Sequence, residues 1–358
     1  MGPFPHDAPK ATISDQNPAG TDGFSFVEFA HRDPVVLDKL FRQMGFVPVA
    51  KHKSKDITIY RQGDITYLLN AEKTGHAAEF VEEHGPCAPA MGWRVVDTQH
   101  ALKCAVDLGA KEYTGGGKAI EAPAVYGIGG SLLYFIDTYG EDGSAFHADY
   151  DWLGEVDPRP EGFGFYYLDH LTHNVIRGNM DTWYRFYADT FNFKEIRFFD
   201  IKGKQTGLTS RALTSPDGKI RIPINESADD NSQIEEYLRE YKGEGIQHIA
   251  IASDDIYGGT EKIADAGLGF MPGPPATYYE IDQMQKRGIL IDGEGVVGGG
   301  ETRVLLQIFS KTVIGPIFFE FIQRKGDDGF GEGNFRALFE SIEEDQVRRG
   351  VLQAAPAE

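Results

Sequence analysis

The chain has 358 residues, 41% of them hydrophobic and 25% charged, and a formal net charge of −20. This composition is that of a folded globular protein, and the length exceeds what one core usually supports, so we expect two domains. The negative charge excludes nucleic acid and anionic membranes as partners, because phosphates would be repelled. Two cysteines, no signal sequence and no apolar run of about 18 residues predict a cytoplasmic small-molecule enzyme or interaction module.

The first half of the chain opens with a segment rich in Pro and Ala, residues 1–20, which we expect to be a flexible tail. FSFVEFA then predicts a strand, and Asp33 and Pro34 predict the start of a helix whose apolar stripe stops at Gly45. The following residues, up to Asn70, alternate in the manner of strands joined in hairpins. They complete one strand–helix–strands unit.

The same order of elements returns from residue 165. FYYLDHLTHNV predicts a strand and NMDTWYRFYADTF a helix, while LLYFIDTYG in the first half matches FFEFIQRKG in the second. We therefore predict an α+β fold in which a strand–helix–strands unit occurs about four times, two per half, and closes into partly open barrels. The predicted domains are residues 21–156 and 157–358, joined near Pro158.

The stretch LDHLTHNV contains two histidines, His170 and His173, that a strand would place on opposite faces. Two other predicted strands of the same half contain His248, in GIQHIAIA, and Glu320, in FFEFIQR. His248 follows His170 by 78 residues, and Glu320 follows His248 by 72. Two imidazoles and one carboxylate are typical of non-haem Fe(II) oxygenases. Each residue also has an ordinary interpretation, because a single strand histidine is often a core residue and Glu320 could pair with an arginine.

The repeat offers a comparison between the two halves. Aligned by pattern, Glu28, Gly92 and Tyr134 of the first half stand opposite the two histidines and the glutamate of the second. The scaffold therefore does not require the His-His-Glu set, which we expect in the second half alone. GEGVVG, residues 293–298, fits a dinucleotide-binding pattern but precedes a predicted strand, so we interpret it as a hairpin tip.

Several segments of the second half, LDHLTHNV, GEGIQHIA, RVLLQIF, GPIFFEFIQRKGDDGFGEGNF and ALFESIEEDQVRRG, closely resemble the bacterial 4-hydroxyphenylpyruvate dioxygenase family. The resemblance runs over nearly the whole chain after the tail. It implies a vicinal-oxygen-chelate fold, in which repeated βαβββ units form two open-barrel domains. It also implies an Fe(II) cofactor held by His170, His248 and Glu320. It also implies that a 2-oxo acid chelates the iron through its carboxylate and keto oxygens, with O₂ as the second substrate.

The reaction implied by this resemblance is oxidative decarboxylation and ring hydroxylation of 4-hydroxyphenylpyruvate with side-chain migration. Its products are homogentisate and CO₂, in tyrosine and phenylalanine catabolism. We also expect a homo-oligomer, either a dimer or a tetramer. A closing helix at about 334–349, capped by Asn334, would be a lid that excludes water from the cavity.

The resemblance further implies which side chains meet the substrate. Five polar residues would orient it and serve catalysis: Ser210, Asn225, Gln233, Gln247 and Gln307. Five apolar residues would form the walls of its site: Pro223, Phe309, Phe318, Phe330 and Phe335. Strand alternation points Gln247 away from the metal, so we expect it to act through its neighbour, and Gln233 on a predicted helix could equally be a surface residue.

Three alternatives stay open at this point. A 4-hydroxymandelate synthase would attack the benzylic carbon of the same substrate, although Asn225 and the bulky Phe318 favour ring attack. A lyase or isomerase of the glyoxalase type would use a divalent metal without consuming oxygen. A metal-free binding module would need no ligand set, and the metal itself could be Fe, Mn or Co.

Overall fold

The fold contains two eight-stranded sheets. The structure is a computed structural model and describes residues 9–140, 143–272, 286–293 and 303–352. The first sheet has the order β6-β7-β5-β1-β4-β3-β2-β8 and the second the order β10-β11-β12-β9-β13-β16-β15-β14. Read in opposite directions, seven strands of each sheet correspond, from β6 to β2 in the first and from β15 to β10 in the second, while β8 and β14 have no counterpart. This correspondence confirms the predicted βαβββ repeat.

The strands of the first sheet are β1 (Thr21–Ala30), β2 (Val47–His52), β3 (Ile57–Gln62), β4 (Ile65–Asn70), β5 (Cys87–Val95), β6 (Ala124–Tyr126), β7 (Leu132–Ile136) and β8 (Tyr150–Trp152). Those of the second are β9 (Phe165–Val175), β10 (Lys194–Lys202), β11 (Gly207–Thr214), β12 (Arg221–Ser227), β13 (Gly245–Ser253), β14 (Leu290–Asp292), β15 (Val304–Phe309) and β16 (Phe318–Lys325). The helices are α1 (Pro34–Gln43), α2 (His76–His84), α3 (Thr98–Asp107), α4 (Met180–Phe191), α5 (Gln233–Tyr241), α6 (Ile256–Asp265) and α7 (Glu332–Arg348). No helix in these described ranges is long and apolar enough to span a membrane.

Helix α1 begins as its sequence predicts. The Asp33 side chain accepts a hydrogen bond from the Val35 backbone N–H at 3.1 Å, and Pro34 occupies the first turn, where a missing N–H leaves no bond unmade. Leu40 and Phe41 are among the residues that the helix buries. The amphipathic stripe thus sets which face of α1 packs against the sheet.

The start of α7 differs from the prediction. Gly331 occupies the cap position with φ of 64°, a left-handed conformation that suits glycine, and it has no side chain to cap the helix. Asp292 of β14 takes that role, because its Oδ2 accepts a hydrogen bond from the Gly333 backbone N–H at 2.7 Å. Asn334, expected as the cap, lies inside the first turn, where its Nδ2 donates to Gln307 Oε1 at 2.7 Å. The Asn334 side chain therefore connects the helix to the second sheet.

The segment before β1 also differs from the expected tail where the structure describes it. Asn17 and Ala19 are buried, and the Asn17 side chain bonds both the backbone N–H and the carbonyl of Thr21 at 2.9 Å. Residues 1–8 lie outside the described residues. So do residues 294–298 of the GEGVVG segment, although the flanking β14 and β15 pair antiparallel.

A continuous apolar core joins the two halves of the chain. Phe29 of the first sheet lies 6.2 Å from Phe319 of the second between ring centroids, and Trp93 stacks on Phe193 at 5.2 Å. The inward face of the first sheet holds a separate cluster of buried side chains. The corresponding inward face of the second sheet is where the His-His-Glu set lies.

Candidate metal centre and adjoining cavity

The registers of three neighbouring strands bring His170, His248 and Glu320 together. Ala250 at the centre of β13 pairs with His170 on β9 and with Glu320 on β16. His248 precedes Ala250 by two residues, so its side chain shares the same face of β13. Thr172, two residues after His170, pairs with His248 and completes the face.

The potential ligand atoms of the three side chains converge on one point. His170 Nε2 lies 3.2 Å and His248 Nε2 3.3 Å from Glu320 Oε2, and the two nitrogens are 3.3 Å apart. All three residues are buried, and they are the only such group of potential metal ligands among the described residues.

The outer partners of the histidines determine their protonation. Asp169 Oδ1 lies 2.8 Å from His170 Nδ1, and Gln247 Oε1 lies 3.0 Å from His248 Nδ1. Each oxygen is an acceptor, so each neutral imidazole carries its proton on Nδ1 and presents the lone pair of Nε2 inward. Two such nitrogens and a carboxylate oxygen cannot satisfy one another, whereas a divalent cation between them would satisfy all three.

The charges of the site agree with this donor set. Burial raises the pKa of Glu320, but His170 and His248 outweigh it and hold that pKa at about 2. Burial lowers the pKa of His170, but Glu320 and Asp169 outweigh it, so the pKa of His170 is raised. The pKa of His248 is lowered, mainly by burial. The centre therefore keeps a negative carboxylate that attracts either a proton or a metal ion.

A small cavity of about 40 Å³ adjoins the three ligands. Seven of the predicted substrate-contacting residues line it: Ser210, Pro223, Asn225, Gln307, Phe309, Phe330 and Phe335. Thr172, Phe199 and Leu338 of α7 also line it. The walls are largely aromatic with a few convergent polar groups, as in many binding sites for small organic molecules.

Two buried polar atoms at the cavity have no hydrogen-bond partner among the described residues. They are Ser210 Oγ, a donor, and Asn225 Oδ1, an acceptor, on residues that face each other across β11 and β12. Unsatisfied buried polar atoms are uncommon and costly, so the pair indicates a polar ligand at this wall. The Asn225 Nδ2 donates to Gln247 Oε1 at 3.3 Å, which fixes the direction of its carbonyl.

Three of the predicted residues are placed outside the lining of this cavity. Gln247 contacts His248 and Asn225, as the strand alternation predicts. Phe318 stacks on the His248 ring at 4.9 Å, because the two residues pair in register on parallel strands. Gln233 is the first residue of α5 and does not line the cavity. Gln247 therefore acts on the site through His248 and Asn225, and Phe318 through His248 and through Phe309, whose ring centroid lies 6.1 Å away.

Sequence reasoning missed Phe199 and Thr172 as lining residues. Thr172 Oγ1 lies 3.0 Å from His248 Nε2, and the alternation that selects His170 already puts Thr172 on the same strand face. Phe199 lies on β10, in the run RFFD, where nothing in the sequence distinguishes it from the adjacent Phe198, which is half exposed.

His173 lies on the opposite face of β9, as the strand period predicts. It is buried and stands outside the ligand group found among the described residues. Burial lowers the pKa of His173 to about 3, so the ring is neutral and packs as a core residue.

The strand registers correct part of the repeat alignment. Gly92 on β5 pairs with Phe26 and with Tyr134, as Ala250 pairs with the two outer ligands of the second sheet. Tyr134 is therefore the counterpart of Glu320, as predicted. The counterparts of His170 and His248 are Phe26 and Ala90, each two residues away from the predicted Glu28 and Gly92.

The corrected alignment still shows that the scaffold does not require the His-His-Glu set. Phe26 and Tyr134 pack with their ring centroids 5.6 Å apart, at the place that the metal ligands occupy in the second sheet. A Cβ on Gly92 would lie 2.4 Å from the Phe26 ring, so the aromatic pair depends on this glycine. The same scaffold thus holds either ligands or a packed aromatic core.

Comparison with known proteins matches both halves to families. Residues 15–151 match the model of the N-terminal region of hydroxyphenylpyruvate dioxygenase, and residues 167–282 match the glyoxalase, bleomycin resistance protein and dioxygenase superfamily. A 4-hydroxyphenylpyruvate dioxygenase of Pseudomonas aeruginosa is 52% identical and covers 96% of this chain and 99% of its own. A protein of Vibrio vulnificus named hemolysin VllY is 53% identical, over 95% of this chain and 99% of its own.

Among solved structures, a triple-substitution mutant of 4-hydroxymandelate synthase from Streptomyces coelicolor superposes with a TM-score of 0.79. It is 24% identical and the match covers 91% of this chain and 99% of that one, a likeness that concerns the fold. The full-length relative at 52% identity and the match to the N-terminal model concern the family as well. The chain therefore belongs to the 4-hydroxyphenylpyruvate dioxygenase family, within the glyoxalase-type superfamily.

Proposed function

We propose that this chain is a 4-hydroxyphenylpyruvate dioxygenase that converts 4-hydroxyphenylpyruvate and O₂ to homogentisate and CO₂. The observation that carries the proposal is the convergence of His170 Nε2, His248 Nε2 and Glu320 Oε2 within 3.3 Å beside an aromatic cavity. Family membership supports the same activity. We place the reaction in tyrosine and phenylalanine catabolism, because removal of the amino group of tyrosine gives this 2-oxo acid.

Fe(II) is the ion we propose for the three ligands. When bound, it would supply the open coordination positions for a 2-oxo acid and O₂ that the two-histidine, one-carboxylate set leaves free. Gln307 Nε2 donates to Glu320 Oε1 at 2.7 Å, so the carboxylate keeps Oε2 turned toward the histidines. Asp169 and Gln247 hold the two imidazoles in the tautomer that presents Nε2.

The cavity lining supports an aromatic substrate with polar ends. Phe330 and Phe335 would hold the phenyl ring, while Ser210 Oγ and Asn225 Oδ1 would donate to and accept from its oxygens. Neutral groups at that wall bind a phenol without adding a competing metal ligand.

Access to the cavity involves α7, the loop residue Phe330 before it, and Phe199 of β10. Phe199 and Phe330 line both the 40 Å³ cavity and an outer one of about 680 Å³. The inner space holds a water molecule or two but no phenyl ring, so the substrate must displace these side chains. Leu338 of α7 and the two rings would then exclude water around the bound substrate.

We further propose a metal-free barrel at residues 21–156, a catalytic barrel at 157–358 and a cytoplasmic, homo-oligomeric protein. Cys87 and Cys104 are both free thiols, which suits a reducing compartment. Ile196 and Phe198 are about half exposed on the edge strand β10, which favours self-association. Light scattering coupled to size-exclusion chromatography measures the oligomeric state directly.

The activity is tested by loading the purified protein with Fe(II) without oxygen, then adding 4-hydroxyphenylpyruvate and O₂. Oxygen uptake and the product are measured together. Homogentisate is the expected product. Hydroxymandelate as the product would show that the protein hydroxylates the benzylic carbon instead. The absence of oxygen uptake would contradict both oxygenase activities.

A matched pair of variants tests the ligand assignment. His170→Leu removes a proposed ligand, and His173→Leu removes a neutral, buried histidine from the same strand. We expect His170→Leu to lose bound iron and activity while His173→Leu retains both. Full iron content in His170→Leu would refute the assignment.

A further inference from the structure

A second large cavity lies at the inward face of the first sheet, the barrel without metal ligands. Its volume is about 420 Å³, within the range of sites for small organic molecules. Arg61 of β3, Thr66 of β4 and Arg94 of β5 reach it from three strands, and Arg159 reaches it from the segment that joins the two halves. None of the three proposed metal ligands lines it.

Three guanidinium groups converge on this cavity in a protein whose net charge is −20. Burial, together with the positive charges of Arg159 and Arg94, lowers the pKa of Arg61 to about 10. Burial also lowers the pKa of Arg94. Holding like charges together in a partly desolvated site is unfavourable unless a negative charge joins them.

The described residues supply little of that negative charge. Asp64, the one carboxylate among the described lining residues, pairs with Arg159. Asp22 lies near Arg94 but accepts hydrogen bonds from Tyr139 and Lys219. These acids are engaged with other cations or donors and do not neutralise the two strand arginines.

The hydrogen bonds of the two strand arginines are also incomplete. Arg61 Nε donates to Thr66 Oγ1 and its Nη1 to the Pro158 carbonyl, both at 3.2 Å and both neutral acceptors. Arg94 Nε is buried and has no hydrogen-bond partner among the described residues. A buried guanidinium N–H without an acceptor is a strong indication of a missing anion.

Aromatic rings complete the walls. The Arg61 guanidinium lies over the Trp152 ring at 5.1 Å and the Phe146 ring at 5.9 Å, and that of Arg94 lies over the Tyr139 ring at 5.5 Å. These contacts orient the two guanidinium planes and leave flat apolar surface beside them. Ser25 and Ser144 add hydroxyl groups at the margin.

We propose that this cavity is a binding site for a small aromatic carboxylate, separate from the metal centre. The carboxylate would lie between Arg61 and Arg94 and accept the N–H of Arg94 Nε, and the ring would pack against Trp152 and Phe146. The arginines favour a planar, two-oxygen anion because their forked donors match it. The volume favours an organic anion over an inorganic one.

The test is isothermal titration calorimetry of the full-length, iron-loaded protein with phenylacetate, an aromatic carboxylate without the 2-oxo group. We expect Arg94→Gln and Arg61→Gln to weaken binding at least ~tenfold, and the neutral analogue phenylacetamide to bind at least ~tenfold more weakly than phenylacetate. Arg32→Gln, an exposed arginine of the same half that pairs with Glu82, is the matched control and should bind as the unaltered protein does.

Binding that Phe335→Ala abolishes and Arg94→Gln leaves intact would assign phenylacetate to the catalytic cavity and overturn the proposal. Equal binding of phenylacetamide, or binding of inorganic phosphate without phenylacetate, would overturn the ligand class. If Arg94→Gln lowers the unfolding temperature, Arg159→Gln replaces it, since that side chain is 62% exposed. We expect Arg159→Gln to weaken binding several-fold, and unchanged affinity would overturn the proposal.

Discussion

Arg324 and Asp169 form a two-point ion pair directly behind the proposed metal centre. Arg324 Nε and Nη2 donate to Asp169 Oδ2 and Oδ1 at 2.7 and 2.8 Å, and both side chains are 1% exposed. Asp169 Oδ1 is also the acceptor for His170 Nδ1. Arg324 Nη1 donates to the Asp327 carbonyl at 3.1 Å, so one guanidinium joins a metal ligand to the loop before Phe330.

Replacing this arginine should therefore disturb both the fold and the metal. Arg324→Gln leaves the buried Asp169 carboxylate with only the more distant Arg221, at 3.9 Å, as a cation. Breaking a buried pair typically lowers the free energy of unfolding by ~3–5 kcal/mol. The His170 ring loses its fixed orientation, and loss of such a partner weakens metal binding by ~10–100-fold. Chemical denaturation and calorimetric titration with Fe(II) measure the two effects.

Arg336→Gln is the matched control for this prediction. Arg336 lies on α7 with its side chain 66% exposed and pairs with Glu340 at 3.4 Å in solvent, where ion pairs contribute little. We expect wild-type metal affinity in this variant. If Arg324→Gln also kept that affinity, the ion pair would have no part in orienting His170.

Metal affinity should fall as the pH falls, in a way that identifies His170. Its pKa is raised by Glu320 and Asp169 against the effect of burial, so a proton competes with the metal for Nε2. Glu320, with a pKa of about 2, stays ionised, and the lowered pKa of His248 makes that ring the weaker competitor for a proton.

One displaced proton predicts an affinity that drops by about tenfold per pH unit below the pKa of His170 and levels off above it. Anaerobic titration with Fe(II) between about pH 5 and 8 measures the slope, since a free histidine titrates near 6.5. His173→Leu should keep the slope, because that ring is already neutral. A flat profile would mean that no ligand binds a proton in this range.

Much of the fold could be predicted from local patterns. The Asp33-Pro34 helix start depends on adjacent residues alone, and the two-residue period of a strand is enough to place His170 and His173 on opposite faces. The repeat predicts four similar units because each repeats the same order of periodicities. These patterns can be recognised because each depends on residues within one helix or strand, or on the order of helices and strands along the chain.

The parts that failed depend on how strands pair. Phe318 shares a strand with Glu320, yet it stacks on His248 because β13 and β16 run in parallel register. The repeat alignment placed two of its three positions two residues away from the counterparts that the strand pairing gives, because residues two apart on a strand share a face and a pattern. A single sequence does not reveal how strands pair.

A buried carboxylate near the middle of α7 adds a further connection between this helix and the second sheet. Glu343 of α7 is buried and accepts hydrogen bonds from the backbone N–H of Lys204, Gln205 and Thr206 at 2.9, 3.2 and 2.7 Å, and from the Thr206 hydroxyl at 2.6 Å. Glu343→Gln removes the charge from these bonds, and hydrogen bonds to charged groups contribute about 1.5–3 kcal/mol.

We expect Glu343→Gln to loosen α7 without changing the metal site. Hydrogen exchange over 332–348 should become faster, and Fe(II) affinity should stay the same. Glu344→Gln is the matched control, since that side chain is half exposed and its ion pair with Lys204 spans 3.5 Å. Unchanged exchange in Glu343→Gln would show that other contacts hold the helix.

Phe330 separates the inner cavity from the outer one, and its ring stands edge-on to His170 with 5.4 Å between centroids. Phe330→Ala removes one wall of the proposed phenyl site and opens the inner cavity to water. Truncating a buried aromatic wall typically costs ~2 kcal/mol or more of binding, so KM for 4-hydroxyphenylpyruvate should rise at least ~tenfold.

Iron content should stay unchanged in Phe330→Ala, because the three ligands and their outer partners are intact. Water that reaches the centre should also separate oxygen uptake from product formation, so that less homogentisate forms per O₂ consumed. Parallel oxygen-electrode and chromatographic measurements give this ratio. An unchanged KM together with an unchanged ratio would place the substrate away from Phe330 and require a different orientation in the cavity.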